Sequence, residues 1–137
     1  MVSRGWLPVA NRVLDILVVD DQPGVRHLID LLGREEGHRV HLAADGSEAV
    51  RAAGALQPDL VFMDVRMPVM DGLTALPLVR GAAPRAVVVM MTAYGSDATL
   101  SDNDRDGVAA VLIKPFDVEE VRALMRTVGG MAGSSPG

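Results

Sequence analysis

The sequence predicts an α/β fold of three layers: a five-stranded parallel sheet in the order 2-1-3-4-5, with helices on both faces. Short apolar runs alternate with amphipathic stretches of about 10–15 residues, the spacing of βαβ units. The runs at 16–19, 60–63 and 86–91 are continuously apolar, as strands buried on both faces must be. A chain of 137 residues gives one such stack its own core and leaves little room for a second domain.

The elements follow in order. Residues 1–12 lack periodicity and contain Gly5 and Pro8, so they read as a flexible N-terminal extension. The run 16–19 is the first strand. Pro23 stands where a first helical residue belongs, and Val25, Leu28, Ile29 and Leu32 continue at helical spacing to a stop at Gly37. Residues 40–44 form a second, weaker strand, and Asp45 with Glu48 resembles a capping box ahead of Ala49, Val50, Ala53 and Leu56. The third strand is 60–63. A helix over 72–80 contains Pro77, which removes one donor and is expected to kink or shorten it. Strands four and five are 86–91 and 108–113. The last helix starts near Asp117, with Glu120 three residues on, and buries Val118, Val121, Leu124, Met125 and Val128. Residues 13–128 are thus one domain, and the Gly/Ser/Pro stretch 129–137 is a flexible tail. Five strands in a chain this short suit a flavodoxin-like topology.

Composition narrows the function. A formal net charge of −5 argues against a nucleic-acid surface, which needs a clustered basic face. The absence of Cys excludes disulfides, thiolate catalysis and Cys-ligated metals, and fits a reducing cytoplasm. The apolar runs fall far short of the ~20 residues of a membrane span. Of 13 basic residues, Lys114 alone is a lysine. That choice suits a position needing a compact point charge rather than a planar guanidinium.

In sheets of this kind, ligands bind beyond the carboxyl ends of the strands. Asp20 and Asp21 follow the first strand, Asp64 the third, Thr92 the fourth and Lys114 the fifth. An isolated Asp after a strand is ordinarily a turn former or cap. Three carboxylates on one rim repel one another, and a fold avoids that unless a cation uses them. The all-oxygen donor set favours Mg²⁺ or Mn²⁺.

The segments Val-Val-Asp-Asp-Gln (18–22), Met-Asp-Val-Arg-Met-Pro-Val-Met-Asp-Gly (63–72), Met-Thr-Ala-Tyr-Gly (91–95) and Lys-Pro-Phe-Asp (114–117) together resemble the receiver domain of two-component response regulators. The resemblance spans roughly 14–128. Its motifs look most like stand-alone sporulation-type phosphorelay shuttles and nitrogen-regulator-type receivers. It implies that Asp64 is the phosphoacceptor. Asp20, Asp21, Asp64 and the Arg66 carbonyl would hold Mg²⁺, and Thr92 and Lys114 would contact phosphoryl oxygens. It also implies a cis Lys114–Pro115 bond and a histidine kinase or histidine phosphotransferase as partner, docking around Gln22, Pro23, Val25, Arg26 and 115–116. The expected molecule is a cytoplasmic signalling switch rather than an enzyme, a monomer or weak dimer, with no nucleic-acid or membrane role for this domain.

The sequence departs from that pattern at Val111, where receivers usually carry an aromatic residue. The stretch 96–106 is rich in Asp, Asn, Ser and Thr, so the helix expected there is short, frayed or displaced. Residues 102–107 match half of a calcium loop, but Ile113 stands where its bidentate Glu belongs. Other functions fit less well. A metal-dependent phosphohydrolase with an Asp nucleophile needs a second acid where Arg66 stands. An FMN phosphate would meet an acidic rim. The chain could also be the receiver part of a larger response regulator or hybrid kinase.

Overall fold

The computed structural model of the protein describes residues 12–93, 100 and 106–131. Strands β1 (Asp15–Val19), β2 (Arg39–Ala43), β3 (Leu60–Asp64), β4 (Val87–Ala93) and β5 (Val108–Lys114) form one parallel sheet in the order β2-β1-β3-β4-β5. Among the described residues the helices are α1 (Pro23–Glu35), α2 (Gly46–Leu56), α3 (Gly72–Ala82) and α4 (Val118–Gly129). Order and fold class agree with the sequence reading. Of the helix expected over 96–106 only Leu100 and Asp106 are described, and of the calcium-like stretch only Asp106 and Gly107; Tyr94 and most of both termini lie outside the described residues. Leu100 is buried in the core.

The sheet separates two cores, and side-chain alternation along each strand divides the residues between them. Leu17, Val19, Val61, Met63, Val88 and Met90 face α2 and α3, where Ala49, Ala53, Ala75, Leu76 and Val79 meet them. Ile16, Val18, Leu60, Phe62, Val89 and Met91 face α1 and α4, against Ile29, Leu32, Val121, Met125 and Val128. The three central strands read as continuously apolar because both faces are covered.

Local signals set the helix boundaries. Pro23 occupies the first turn of α1, and Gly37 takes φ +88° just past its end, a conformation glycine adopts without strain. Asp117 and Glu120 form the expected capping box of α4. At α2 the Asp45 carboxylate accepts from the Glu48 amide, but the Glu48 side chain accepts from the amide of Ala44, not from that of Asp45. The expected shortening at Pro77 does not occur. α3 runs through it to Ala82, because the Asp71 cap and the buried Ala75, Leu76 and Val79 outweigh one missing donor. β4 and β5 extend past their apolar runs, so Thr92 and Lys114 are strand residues with ladder partners at Ile113 and Ala93.

Candidate functional site

Parallel pairing brings the chemistry to one edge. Val19 pairs with Met63 and Asp64 with Met91, so Asp20, Asp64 and Thr92 lie at neighbouring levels of β1, β3 and β4. Asp20, Asp21 and Asp64 each offer an oxygen within 4.8 Å of the others. Asp20 is fully buried, Asp64 is buried and Asp21 is exposed.

Asp20 has partners on both oxygens. Its Oδ1 accepts from the Gln22 amide at 2.9 Å, and its Oδ2 accepts from Lys114 Nζ at 2.6 Å. Lys114 Nζ also lies 3.5 Å from Asp64 Oδ2 and donates to Gln22 Oε1 at 3.1 Å. Arg26 reaches back from α1 to donate to the main-chain carbonyl of Asp20 at 2.6 Å. Burial, then the neighbouring Asp20 charge, pushes the Asp64 carboxyl up to about 6, while Lys114 pulls the other way. A cation among these oxygens would act in the same sense as Lys114 and favour the carboxylate. The donor set fits a hard divalent ion: three carboxylates, with no nitrogen or sulfur ligand among them.

These groups open on a cavity of about 730 Å³. Its lining combines the polar Asp21, Asp64, Arg66, Thr92 and Lys114 with the apolar Val25, Leu28, Pro115 and Phe116. Thr92 is half-buried and Arg66 is exposed. The Lys114–Pro115 bond is cis, as the resemblance implied.

The loop after Asp64 is held tightly. Gly72 donates to the Val65 carbonyl at 2.7 Å and lies so close to the Asp64 carbonyl that a Cβ would strike it. Gly46 donates to the Met70 carbonyl at 3.0 Å. Between these anchors Val69 adopts φ +68°.

Five of the six residues singled out from sequence therefore line one cavity, and the sixth, Asp20, is buried and bonded to Lys114. How they are held is not legible in the sequence. There Gln22 and Arg26 stand only as docking residues, yet they bind Lys114 and Asp20. The signals are a Gln directly after the paired acids and an Arg one helical turn later. Gly72, by sequence only the start of a helix, is also the point where two backbones meet.

The sequence matches the response regulator receiver domain over residues 16–126. The chain belongs to this family. Receiver relatives include Regulatory protein AtoC of Escherichia coli, 37% identical over 81% of this chain and 24% of AtoC. Sporulation initiation phosphotransferase F of Bacillus subtilis is 36% identical over 78% of this chain and 86% of its own length. The chain thus spans about a quarter of the first relative and most of the second. Among solved structures, NtrX from Brucella abortus matches with a TM-score of 0.77 at 30% identity, over 85% of this chain and 27% of NtrX. The receiver domain of a sensor histidine kinase from Pseudomonas aeruginosa matches with a TM-score of 0.74 at 31% identity, over 88% of this chain and all of that one. That crystal structure holds a magnesium ion coordinated in the active site cleft. No helix among the described residues is long and apolar enough to cross a membrane.

Proposed function

We propose that this chain is a phosphoaccepting switch in which Asp64 takes a phosphoryl group from a phosphohistidine of a histidine kinase or histidine phosphotransferase. The observation that carries this reading is the buried Asp64 carboxylate, flanked by two further carboxylates and one lysine and open to a cavity. An Asp64 oxygen attacks phosphorus in line. The P–N bond breaks, its electron pair stays on the imidazole nitrogen, and a P–O bond forms to give an acyl phosphate. Catalysis of such a transfer is positioning and charge neutralisation.

Mg²⁺, with Mn²⁺ as substitute, would be held by Asp20, Asp21, Asp64 and the Arg66 carbonyl; when bound it supplies charge that offsets the phosphoryl oxygens. Lys114, now on Asp20, is within reach of a second phosphoryl oxygen. The Thr92 hydroxyl, on the same cavity wall, donates to a third. The apolar wall of Val25, Leu28, Pro115 and Phe116 gives a helical partner a surface beside the acceptor. Residues 13–128 form the receiver unit. This is a cytoplasmic switch that turns over only its own phosphoryl group. Arg66 supplies no carboxylate to orient water, which favours a long-lived phosphorylated state and a relay role. The small fraction of AtoC covered also suits a second reading, the receiver part of a longer regulator.

The test is intact mass after incubation with acetyl phosphate and Mg²⁺. The wild type is expected to gain one phosphoryl group and Asp64→Asn none. Equal gain in both, or sustained release of phosphate from small esters, would overturn this reading.

A further inference from the structure

We infer that Gln22 is a positioning residue for Lys114, holding the ammonium ready for the phosphoryl group. The inference rests on the proposed role of Asp64.

Gln22 occupies the N-cap position of α1, yet its side chain makes no capping bond. Asp, Asn, Ser or Thr there would satisfy a free helix donor and stabilise the helix. The Gln22 amide oxygen instead accepts from Lys114 Nζ at 3.1 Å, while its backbone amide donates to Asp20 Oδ1 at 2.9 Å. One residue thereby fixes both partners of the shortest ion pair at the site, the 2.6 Å pair of Lys114 with Asp20.

An ammonium has three donors. Here two are directed at Asp20 and Gln22, and Asp64 lies 3.5 Å away. With no acceptor at position 22, only the more distant Asp64 carboxylate, among the described groups, opposes the 2.6 Å pull of the buried Asp20 carboxylate, and Lys114 settles further towards Asp20. Gln22 is neutral, so it draws the ammonium out without competing with a dianionic phosphoryl group as a carboxylate would. Arg26 donates to the Asp20 carbonyl and, having no acceptor, cannot take the place of Gln22.

Lys114 is the only lysine in the chain, so ¹⁵N-lysine labelling gives a single side-chain ammonium resonance. Gln22→Met keeps the length and loses the acceptor; Gln22→Glu keeps an acceptor and adds charge. Three quantities are measured for each protein: the ammonium resonance, the rate of mass gain from acetyl phosphate at saturating Mg²⁺, and the helical circular dichroism. In Gln22→Met the resonance is expected to shift and the rate to fall about fivefold, as for loss of one partly exposed charge-assisted hydrogen bond. Helicity should stay unchanged. In Gln22→Glu the resonance should move in the opposite sense. An unmoved resonance in Gln22→Met, or a moved resonance with a wild-type rate, overturns the inference. A wild type that gains no mass overturns the phosphoacceptor reading itself, which the variants alone cannot do.

Discussion

Val69 holds a left-handed backbone, φ +68°, and the residue is 83% exposed. A β-branched residue is strained there by at least the ~1–2 kcal/mol that the left-handed region costs an ordinary L-residue. Glycine removes that strain but adds roughly 0.5–1 kcal/mol of chain entropy to the unfolded state. The strain outweighs the entropy, so Val69→Gly should stabilise by about 0.5–1 kcal/mol, read as a higher urea midpoint at unchanged slope. His38 predicts a pH dependence. Its Nδ1 accepts from the Leu14 amide at 3.0 Å, so a proton on that nitrogen would break the bond. Burial holds its pKa below the ordinary value; Arg12 adds to this, and Glu36 and Asp59 oppose it. The unfolded chain therefore binds the proton more readily. This contribution is fully present above the ordinary histidine pKa of ~6.5 and declines as pH falls through it. Unfolding measured between pH 7 and 5 should show the loss in wild type and a flatter profile in His38→Gln. Equal slopes would contradict it.

Pro77 lies inside α3 on its exposed side, with no amide to donate. Interior proline costs ~3 kcal/mol in helix formation, while its rigidity returns roughly 0.4–1 kcal/mol through the unfolded state. Pro77→Ala should therefore stabilise by about 2 kcal/mol. A melting temperature no higher than wild type would show that the backbone around Pro77 is already relaxed. The same helix shows what sequence can convey about elements. Their existence and order are legible, because each apolar run matches one strand and each helical stripe one face. Their ends are less so. Apolar periodicity is blind to a polar residue that completes a ladder, as Thr92 and Lys114 do. It is equally blind to a helix carried past a proline by buried neighbours. Asp20, Asp21, Asp64, Thr92 and Lys114 are legible as site residues because polar groups follow apolar strands there. The roles of Gln22, Arg26 and Gly72 are not, since spacing does not state which way an N-cap side chain turns or where two backbones meet.

On the scale of the whole molecule, the sheet gathers negative charge at one edge while the rest of the fold is conventionally packed. Ion pairs of Arg122 with Glu35 and of Arg126 with Glu36 link the exposed sides of α4 and α1, and such pairs contribute little. The acidic edge is thus the place where a ligand changes stability. For a dissociation constant of about 1 mM, ~10 mM Mg²⁺ adds about 1.4 kcal/mol to the folded state. That corresponds to a few degrees in melting temperature. Asp21→Asn should lose most of this response and be more stable than wild type without Mg²⁺, because one of three mutually repelling charges is gone. A wild type indifferent to Mg²⁺ would contradict this. The proposed phosphoacceptor is one of these three carboxylates, Asp64, which would form the acyl phosphate. Borohydride reduces an acyl phosphate to the alcohol and leaves a free carboxylate intact, so the acceptor is recorded as homoserine. The decisive measurement is peptide mapping by mass spectrometry after acetyl phosphate, Mg²⁺ and borohydride treatment. Homoserine at position 64 alone, and only when Mg²⁺ is present, is the predicted result; homoserine at position 20 or 21, or none in a chain that has gained the phosphoryl mass, would contradict it.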